Sequence, residues 1–344
     1  MKTLTQKMRK VLPVYQATNS YNFRYPQFAN SCDFSINNNH WTWGEIDVKK
    51  DIQDFMVELS ESEKHAVTTI LKLFTKYEVL IGEEFWGGRF KEMFPRPEFR
   101  RIAAFYSHQE LNIHAPFYNE LNKILSLNTD EFYNSYLDDP ELVDRVKFID
   151  DMLNHENDLV ALAAFVFLEG SVLYGNFGYL KHFQTCGKNL MNNVIRGIDF
   201  SILEESQHAV TGSEAFKIVL SEAREYGLLT DEDWSEIQGA IYNVADLVDK
   251  HETSIIKKFF EKGKQSNITQ SQLLNFKSFR INHCLELLTL KPYFEVKNYT
   301  IKDWFDKSAL QLQSNDTFAG QGREYSKGYS EELLYVNPEI TTGY

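Results

Sequence analysis

The chain has 344 residues, of which 43% are hydrophobic and 14% aromatic, and its formal net charge is −13 at pH 7. This composition supplies enough apolar surface for a large core and excludes a disordered chain. The acidic balance argues against a nucleic-acid-binding surface, because contacts to phosphates need clustered Lys and Arg side chains.

The cysteines and the N-terminus indicate a reducing compartment. Cys32, Cys186 and Cys284 lie far apart and form no CxxC pair, so the sequence predicts neither a disulfide framework nor a zinc ribbon. The basic N-terminal segment is not followed by the apolar stretch of a secretory signal. We therefore expect the protein to be cytoplasmic.

Long helices are predicted over most of the chain, whereas residues 1–45 are expected to be irregular. Ser60 and Glu63 form the pattern of a capping box in front of a long amphipathic helix, which is expected to end at Gly87 and Gly88. The next helix is predicted to start after Pro97 and to continue to about residue 125. Further helices are predicted over residues 140–183, 188–222, 231–262 and 270–290.

The most apolar segment, residues 159–180, approaches the length of a membrane span. It carries Glu169 near its middle and three glycines after it, so the central helix of a soluble bundle is the better interpretation and no membrane contact is expected. The prediction is an all-α bundle of long helices that forms one domain over residues 1–315. Residues 316–344 are polar, aromatic and poorly periodic, and they are predicted to form a flexible C-terminal tail.

Acidic and histidine side chains occupy the apolar rows of four predicted helices. An amphipathic helix buries the side chains at i, i+3, i+4 and i+7, and a lone buried carboxylate costs several kcal/mol or loses its charge. One acid or one acid–histidine pair is more often a solvated or hydrogen-bonded group. Four acids with two histidines instead favour a metal cluster, because they form the ligand set of di-iron and di-manganese helical bundles. The predicted ligands are Glu78, Glu110, His114, Glu169, Glu205 and His208.

Several segments resemble the small, radical-generating subunit of class I ribonucleotide reductase, over a range from about Trp41 to Tyr325. An acidic, DIQ-containing stretch follows Trp41, and an EKH sequence at residues 63–65 ends thirteen residues before Glu78. The other matching segments are Asn112-Ile113-His114 with Tyr118 four residues later, Glu169 on the central helix, Glu204-Glu205-Ser-Gln-His208, and Gly322-Arg323-Glu324-Tyr325 in the tail.

The resemblance implies a ferritin-like long-helix bundle with a dinuclear metal cofactor. It favours an iron pair and leaves a manganese/iron or a manganese pair open. It implies that Tyr118 carries a radical, that Trp41 and Glu204 relay the oxidising equivalent outwards, and that Tyr325 continues the relay in the tail. The activity implied is that of a ribonucleoside-diphosphate reductase, in which this homodimeric small subunit docks to a large subunit through its tail. The large subunit reduces ribonucleotides to deoxyribonucleotides.

Three positions depart from the family pattern. The first ligand is Glu78 where the family usually has Asp, and the acid before Glu205 is Glu204 rather than Asp. Glu110 lies four residues before His114, whereas the family has its Glu three residues before. Because Pro116 also lies in this helix, a π-bulge or kink is predicted between Glu110 and Tyr118.

Two alternatives from other functional classes fit the same bundle. A ferritin-like dimetal oxidase or desaturase would act on its own organic substrate and would need no tail. A catalytically silent scaffold would bind a partner and would retain no stoichiometric metal. The EKH, NIH and GREY segments favour the reductase subunit over both.

Overall fold

Helices form every regular element in residues 3–185 and 187–305, which the computed structural model describes. The all-α prediction is confirmed. The α-helices in this part of the chain are α1 (Leu4–Val11), α2 (Pro26–Phe34), α3 (Glu61–Leu80), α4 (Lys91–Met93), α5 (Pro97–Gln109), α6 (Ala115–Ile124), α7 (Asp130–Asn134), α8 (Pro140–Leu153), α9 (Asp158–Phe167), α10 (Tyr174–Lys181), α11 (Asn192–Glu225), α12 (Asp231–Phe259) and α13 (Gln270–Leu287). Residues 300–305, at the end of the described part, are also helical.

Wider π-helical segments join several of these helices into longer rods. Ile81–Phe90 joins α3 to α4, Glu110–His114 joins α5 to α6, and Leu168–Val172 lies between α9 and α10. Shorter π-helical segments are Ser35–Asn39 and Asp54–Glu58. Short 3₁₀ turns complete the described elements at Pro13–Tyr15, Trp43–Glu45, Val48–Asp51, Ser135–Asp138 and His182–Gln184.

The start of α3 is as predicted, but its end is not. Ser60 Oγ accepts a hydrogen bond from the Glu63 amide at 3.3 Å, and Glu63 Oε2 accepts one from the Ser60 amide at 2.9 Å, which completes the capping box. The chain then stays helical through Gly87 and Gly88 as far as Met93. Neither glycine adopts the left-handed conformation that ends a helix. A Cβ at Gly87 would lie 3.0 Å from the carbonyl oxygen of Gly82, so the glycine permits a close approach within the rod.

Two other sequence predictions are corrected. The first 45 residues contain α1 and α2, which are too short to be stable alone and depend on tertiary contacts. Arg9 on α1 donates two hydrogen bonds of 2.7 Å to the buried carboxylate of Asp158. The helix predicted over residues 140–183 is broken at residues 154–157, where Asn157 caps the start of α9.

The central rod of α9, Leu168–Val172 and α10 is buried on all sides. It packs against α11, α12 and α13, and nearly all buried apolar side chains of the described chain form one continuous cluster. The stretch Asp158–Gln184 is long and apolar enough to cross a membrane, but its most apolar window is entirely buried, as in the core helix of a bundle. The predicted domain boundary at residue 315 lies outside the described residues.

Candidate metal centre

All six predicted ligands meet in the middle of the bundle, and each is fully buried. Their ligand atoms form two groups, each with its members within 4.8 Å of one another. The first group contains Glu78, Glu110, His114 and Glu205, and the second contains Glu110, Glu169, Glu205 and His208. Because Glu110 and Glu205 belong to both groups, the arrangement is that of two adjacent subsites that share two carboxylates.

The predicted π-bulge is present where Glu110 enters the site. Residues Glu110–His114 form a π-helical turn, and the amide of Ala115 donates to the carbonyl oxygen of Glu110 across five residues. The turn brings His114 Nδ1 to 2.9 Å from Glu110 Oε2, so the four-residue spacing still places both side chains in one cluster. Gly82 makes room for this turn, since a Cβ there would lie only 2.7 Å from the Cβ of Glu110.

The two histidines have matching orientations. His114 Nδ1 lies 2.9 Å from Glu110, 3.2 Å from Glu205 and 3.6 Å from Glu78. His208 Nδ1 lies 2.8 Å from Glu110, 3.5 Å from Glu205 and 3.6 Å from Glu169. Each Nδ1 therefore points into the carboxylate cluster, and each Nε2 points away from it.

The protonation equilibria of the cluster show an excess of negative charge. Burial and the carboxylate of Glu110 raise the pKa of Glu78 well above its usual range, and burial and Glu205 do the same for Glu169. Burial alone would lower the pKa of His114 and His208, but the surrounding carboxylates, Glu110 foremost, raise it well above the ordinary value. Divalent cations would neutralise the charge that these protons now offset.

Buried atoms without hydrogen-bond partners also indicate that the cluster binds cations. Among the described residues, both carboxylate oxygens of Glu78 and Glu205 are buried without a hydrogen-bond partner. The same holds for Glu169 Oε2, whereas Glu110 Oε1 and His208 Nδ1 lie 2.8 Å apart without forming a hydrogen bond. Buried polar atoms are rarely left in this state unless an ion or water binds them. Four carboxylates balance the charge of two divalent cations, and oxygen and imidazole donors suit iron and manganese, so the residues fit a dinuclear metal centre.

The predicted relay residues lie next to this cluster. Trp41 is fully buried, and its Nε1 donates to Glu204 Oε2 at 2.8 Å. The same oxygen lies 2.7 Å from His114 Nε2, so Trp41, Glu204 and His114 form a continuous hydrogen-bonded chain. Tyr325 and the tail of residues 316–344 lie outside the described residues.

Tyr118 lies on α6, one turn beyond His114, and is fully buried. Its ring centroid is 4.6 Å from that of Phe74 and 5.2 Å from that of Phe117. Its hydroxyl has no hydrogen-bond partner among the described residues. Burial, followed by the charge of Glu78, raises the pKa of this phenol well above 10.

Sequence reasoning missed two side chains that contact the cluster. Trp86 Nε1 donates to Glu169 Oε1 at 3.1 Å, and Gln109 contacts both Glu204 and His208. Trp86 lies eight residues after Glu78, a spacing that returns to the same face of a helix, and this signal could have identified it. Gln109 carries no such signal, because only the tertiary contact between the end of α5 and α11 brings it to Glu204 and His208.

Comparison with known proteins agrees with this geometry. A model of the family "Ribonucleotide reductase, small chain" matches residues 17–300. A probable ribonucleoside-diphosphate reductase small subunit (048L) of Invertebrate iridescent virus 3 is 22% identical over 325 residues, covering 89% of this chain and 83% of the viral protein. Two solved structures share the fold at 19% identity. The ribonucleotide reductase R2 subunit from Clostridium botulinum has a TM-score of 0.72, covering 85% of this chain and 91% of that chain. The dimanganese(II)-NrdF of Streptococcus sanguinis has a TM-score of 0.67, covering 84% and 99%.

The long-helix bundle and its buried glutamates and histidines place the chain in the ferritin-like class of helical bundles with a carboxylate–histidine metal cluster. Within that class, the chain belongs to the ribonucleotide reductase small chain family. The resemblance inferred from the sequence is therefore confirmed. A small chain of this family works together with a large subunit, so this protein is one component of a ribonucleoside-diphosphate reductase.

Proposed function

We propose that this small subunit holds a dinuclear metal centre and stores an oxidising equivalent at Tyr118 for the large subunit. The proposal rests on one observation, the convergence of four glutamates and two histidines into two adjacent subsites with unpaired buried atoms. A redox-active metal pair bound there supplies the oxidising power. The proposed ligands are Glu78, Glu110, His114, Glu169, Glu205 and His208.

The family resemblance favours an iron pair, with a manganese/iron or a manganese pair as the alternatives. Oxygen donors outnumber nitrogen donors, which suits hard divalent ions, and the set contains no cysteine to select a softer metal. The donor chemistry alone is shared by iron and manganese, so metal analysis of the purified protein is part of the test below.

Tyr118 is suited to storing a radical for three reasons. It lies one helical turn from His114, which corresponds to about 5.4 Å along the axis. It is fully buried and in contact with the aromatic rings of Phe74 and Phe117, which exclude water. Its raised pKa keeps the phenol protonated, so formation of a neutral radical requires the loss of one electron and one proton together.

We propose that the oxidising equivalent leaves through Trp41. The chain from His114 through Glu204 to the Trp41 indole is continuous and buried. Beyond Trp41, the sequence resemblance assigns the relay to Tyr325 and the docking of the large subunit to residues 316–344. A homodimer in the cytoplasm, without a nucleic-acid or membrane partner, remains our expectation for the assembled small subunit.

The direct test is low-temperature EPR spectroscopy of protein loaded with Fe(II), or with Fe(II) and Mn(II), and then exposed to air. We expect about two metal ions per chain and an organic radical signal with the features of a tyrosyl radical. A coupled metal signal without an organic radical would assign the stored oxidant to the metals. Full activity on an organic substrate without the large subunit would instead support the oxidase alternative.

The first testable prediction is that Tyr118→Phe abolishes the tyrosyl signal while two metal ions remain bound. Tyr106→Phe is the matched control, because Tyr106 is equally buried and its ring centroid lies 4.2 Å from that of His208. The signal should persist in the control. A Tyr118→Phe protein that keeps the signal and supports full turnover with the large subunit would rule out Tyr118 as the radical site.

A further inference from the structure

Gln109 connects the two histidines of the cluster on the side away from the proposed metals. It is 1% exposed and is the last residue of α5, next to Glu110. Its Nε2 donates to Glu204 Oε1, and its Oε1 lies 3.2 Å from His208 Nε2. Glu204 in turn contacts His114 Nε2 through its other oxygen. The outer nitrogens of both histidines therefore belong to one hydrogen-bonded chain.

The direction of these hydrogen bonds follows from chemistry. An ionised carboxylate only accepts, so the amide of Gln109 must turn its NH₂ group towards Glu204 and its oxygen towards His208. An amide oxygen also only accepts, so His208 must carry a hydrogen on Nε2. In the neutral imidazole, Nδ1 is then left with its lone pair facing Glu110, Glu169 and Glu205.

The two histidines differ in what orients them. His114 Nε2 contacts the carboxylate of Glu204 directly at 2.7 Å, whereas His208 Nε2 contacts the neutral amide of Gln109. A carboxylate partner makes the ligand nitrogen of an imidazole more basic than a neutral partner does. The two subsites, similar in their carboxylates, are thus unequal in their histidines.

We propose that Gln109 is a positioning residue, which relays the orientation of Glu204 to His208 and thereby fixes His208 Nδ1 as a metal ligand. The inference deepens the proposed function and rests on it, because it assumes that the cluster binds two metal ions. Gln109 itself contributes no atom to either group of ligands. Its effect is on the tautomer and the direction of a ligand.

The test is a Mn(II) titration of metal-free full-length protein, with free Mn(II) measured from its aqueous EPR signal. Gln109→Met keeps the length of the side chain but removes both hydrogen bonds. We expect two binding steps in the unmodified protein, and one of them to be weakened in Gln109→Met by about 10–100-fold, the usual effect of losing the outer partner of a ligating histidine. Gln109→Glu is isosteric and keeps an acceptor for His208. Because it faces the Glu204 carboxylate in a buried site, the two carboxyl groups retain one shared proton in place of the amide hydrogen, so the weakened step should recover to near its original affinity.

Gln207→Met is the matched control. Gln207 is also a buried glutamine and is adjacent to His208 in sequence, but its side chain contacts Asn39 and Ser31 instead. It should leave both binding steps unchanged. Circular dichroism of the metal-free variants checks that each is folded. If Gln109→Met is not, Gln109→Leu, which also removes both hydrogen bonds, replaces it in the comparison with Gln207→Met.

The outcomes distinguish a failure of the proposed dinuclear centre from a failure of the proposed role of Gln109. If the unmodified protein binds no Mn(II), the proposed dinuclear centre is wrong. If it binds two ions and a folded Gln109→Met binds them with unchanged affinities, only the role of Gln109 is wrong. A Gln109→Glu protein that lacks one strong step also overturns that role, because the acceptor would then not be what His208 needs.

Discussion

Glu204 is the residue on which the polar contacts around the cluster converge. Its two oxygens contact the indole of Trp41, the outer nitrogen of His114 and the amide of Gln109, although its side chain lies outside the two proposed subsites. An acid in this position orients ligands and also connects them to the indole. The roles of holding the metals and of passing on their oxidising power are therefore assigned to different but adjacent residues.

This separation leads to a prediction for Trp41. Trp41→Phe keeps an aromatic ring against Phe117 and Phe200 but removes the N–H that Glu204 accepts. We expect two bound metal ions and a normal tyrosyl signal, but turnover with the large subunit reduced about 100-fold or more, as for other losses of alignment between reacting groups. The measurement is steady-state reduction of a ribonucleoside diphosphate.

Trp234→Phe serves as the comparison for this variant. Trp234 lies on α12, where it packs against Arg224 and Phe216 at a distance from the cluster, and its replacement should leave turnover unchanged. Equal activities of the two variants would remove Trp41 from the proposed route.

The site residues that can be predicted from the sequence are those whose charge conflicts with their apolar surroundings. Glu78 and Glu169 interrupt apolar rows, and a buried acid has few explanations other than a charged partner or a metal. Gln109 conflicts with nothing, because a glutamine near the end of a helix is ordinary. Its importance depends on the neighbours that tertiary packing gives it, and a single sequence does not contain that information.

At the level of elements, each of the three interrupted rods places a predicted ligand at or beside its π-helical segment. Glu78 precedes Ile81–Phe90 by three residues, Glu110 and His114 bound the second segment, and Glu169 lies within the third. A π-helical turn rotates the side chains that follow it and is frequent at functional sites. Only the second segment was predicted, because Pro116 and the four-residue spacing gave a local reason for it. The other two have no such local signal.

Gly82 allows two of these segments to touch, and this gives a prediction about their packing. In Gly82→Ala the new Cβ would lie 2.7 Å from the Cβ of Glu110 and 3.0 Å from Leu111. Both contacts are too close, so the rods must separate, at a cost of about 1–3 kcal/mol in the free energy of unfolding. Because Glu110 is displaced, Mn(II) binding should weaken by about tenfold or more.

Gly239→Ala is the matched control for Gly82→Ala, and we expect the opposite effect on stability from it. Gly239 is exposed within α12, and a Cβ there would meet no atom within 4 Å. Alanine is the better helix former, so this variant should be more stable by up to about 1 kcal/mol, with unchanged metal binding. A Gly82→Ala protein that behaves like Gly239→Ala would show that the close approach is not needed.

Arg145 holds the third π-helical segment from the side of α8. It is buried, and it donates to Glu252, to the hydroxyl of Tyr77 and, at 3.2 Å, to the carbonyl oxygen of Val172 at the end of that segment. Arg145→Met leaves the Glu252 carboxylate buried without its cation, which should cost about 3–5 kcal/mol in the free energy of unfolding by urea. Arg101→Met, which removes a surface ion pair with Asp33, should cost no more than about 1 kcal/mol. If Arg145→Met also lost no more than about 1 kcal/mol, the buried ion pair would be dispensable for stability.

At the scale of the whole molecule, the described bundle contains every proposed metal ligand, Tyr118 and Trp41, but not the predicted contact with the large subunit. The proposed ligands lie on α3, the Glu110–His114 segment, the Leu168–Val172 segment and α11, so the proposed metal binding and radical storage use side chains from this part of the chain. Transfer to another protein requires a route to the surface and a means of docking. The resemblance assigns both to residues 316–344.

Deletion of residues 316–344 should therefore separate radical formation from the transfer of the oxidising equivalent to the large subunit. We expect the shortened protein to bind two metal ions, to form the tyrosyl signal and to unfold at an unchanged temperature, because all of its proposed ligands and its core are retained. Turnover with the large subunit should be lost. Tyr325→Phe then distinguishes docking from relay, since it should compete with the unmodified small subunit for the large subunit and yet support no turnover. Tyr329→Phe is its matched neighbour and should remain active; if it is the inactive variant instead, the relay lies at Tyr329, and the assignment of Tyr325 from the GREY segment is wrong.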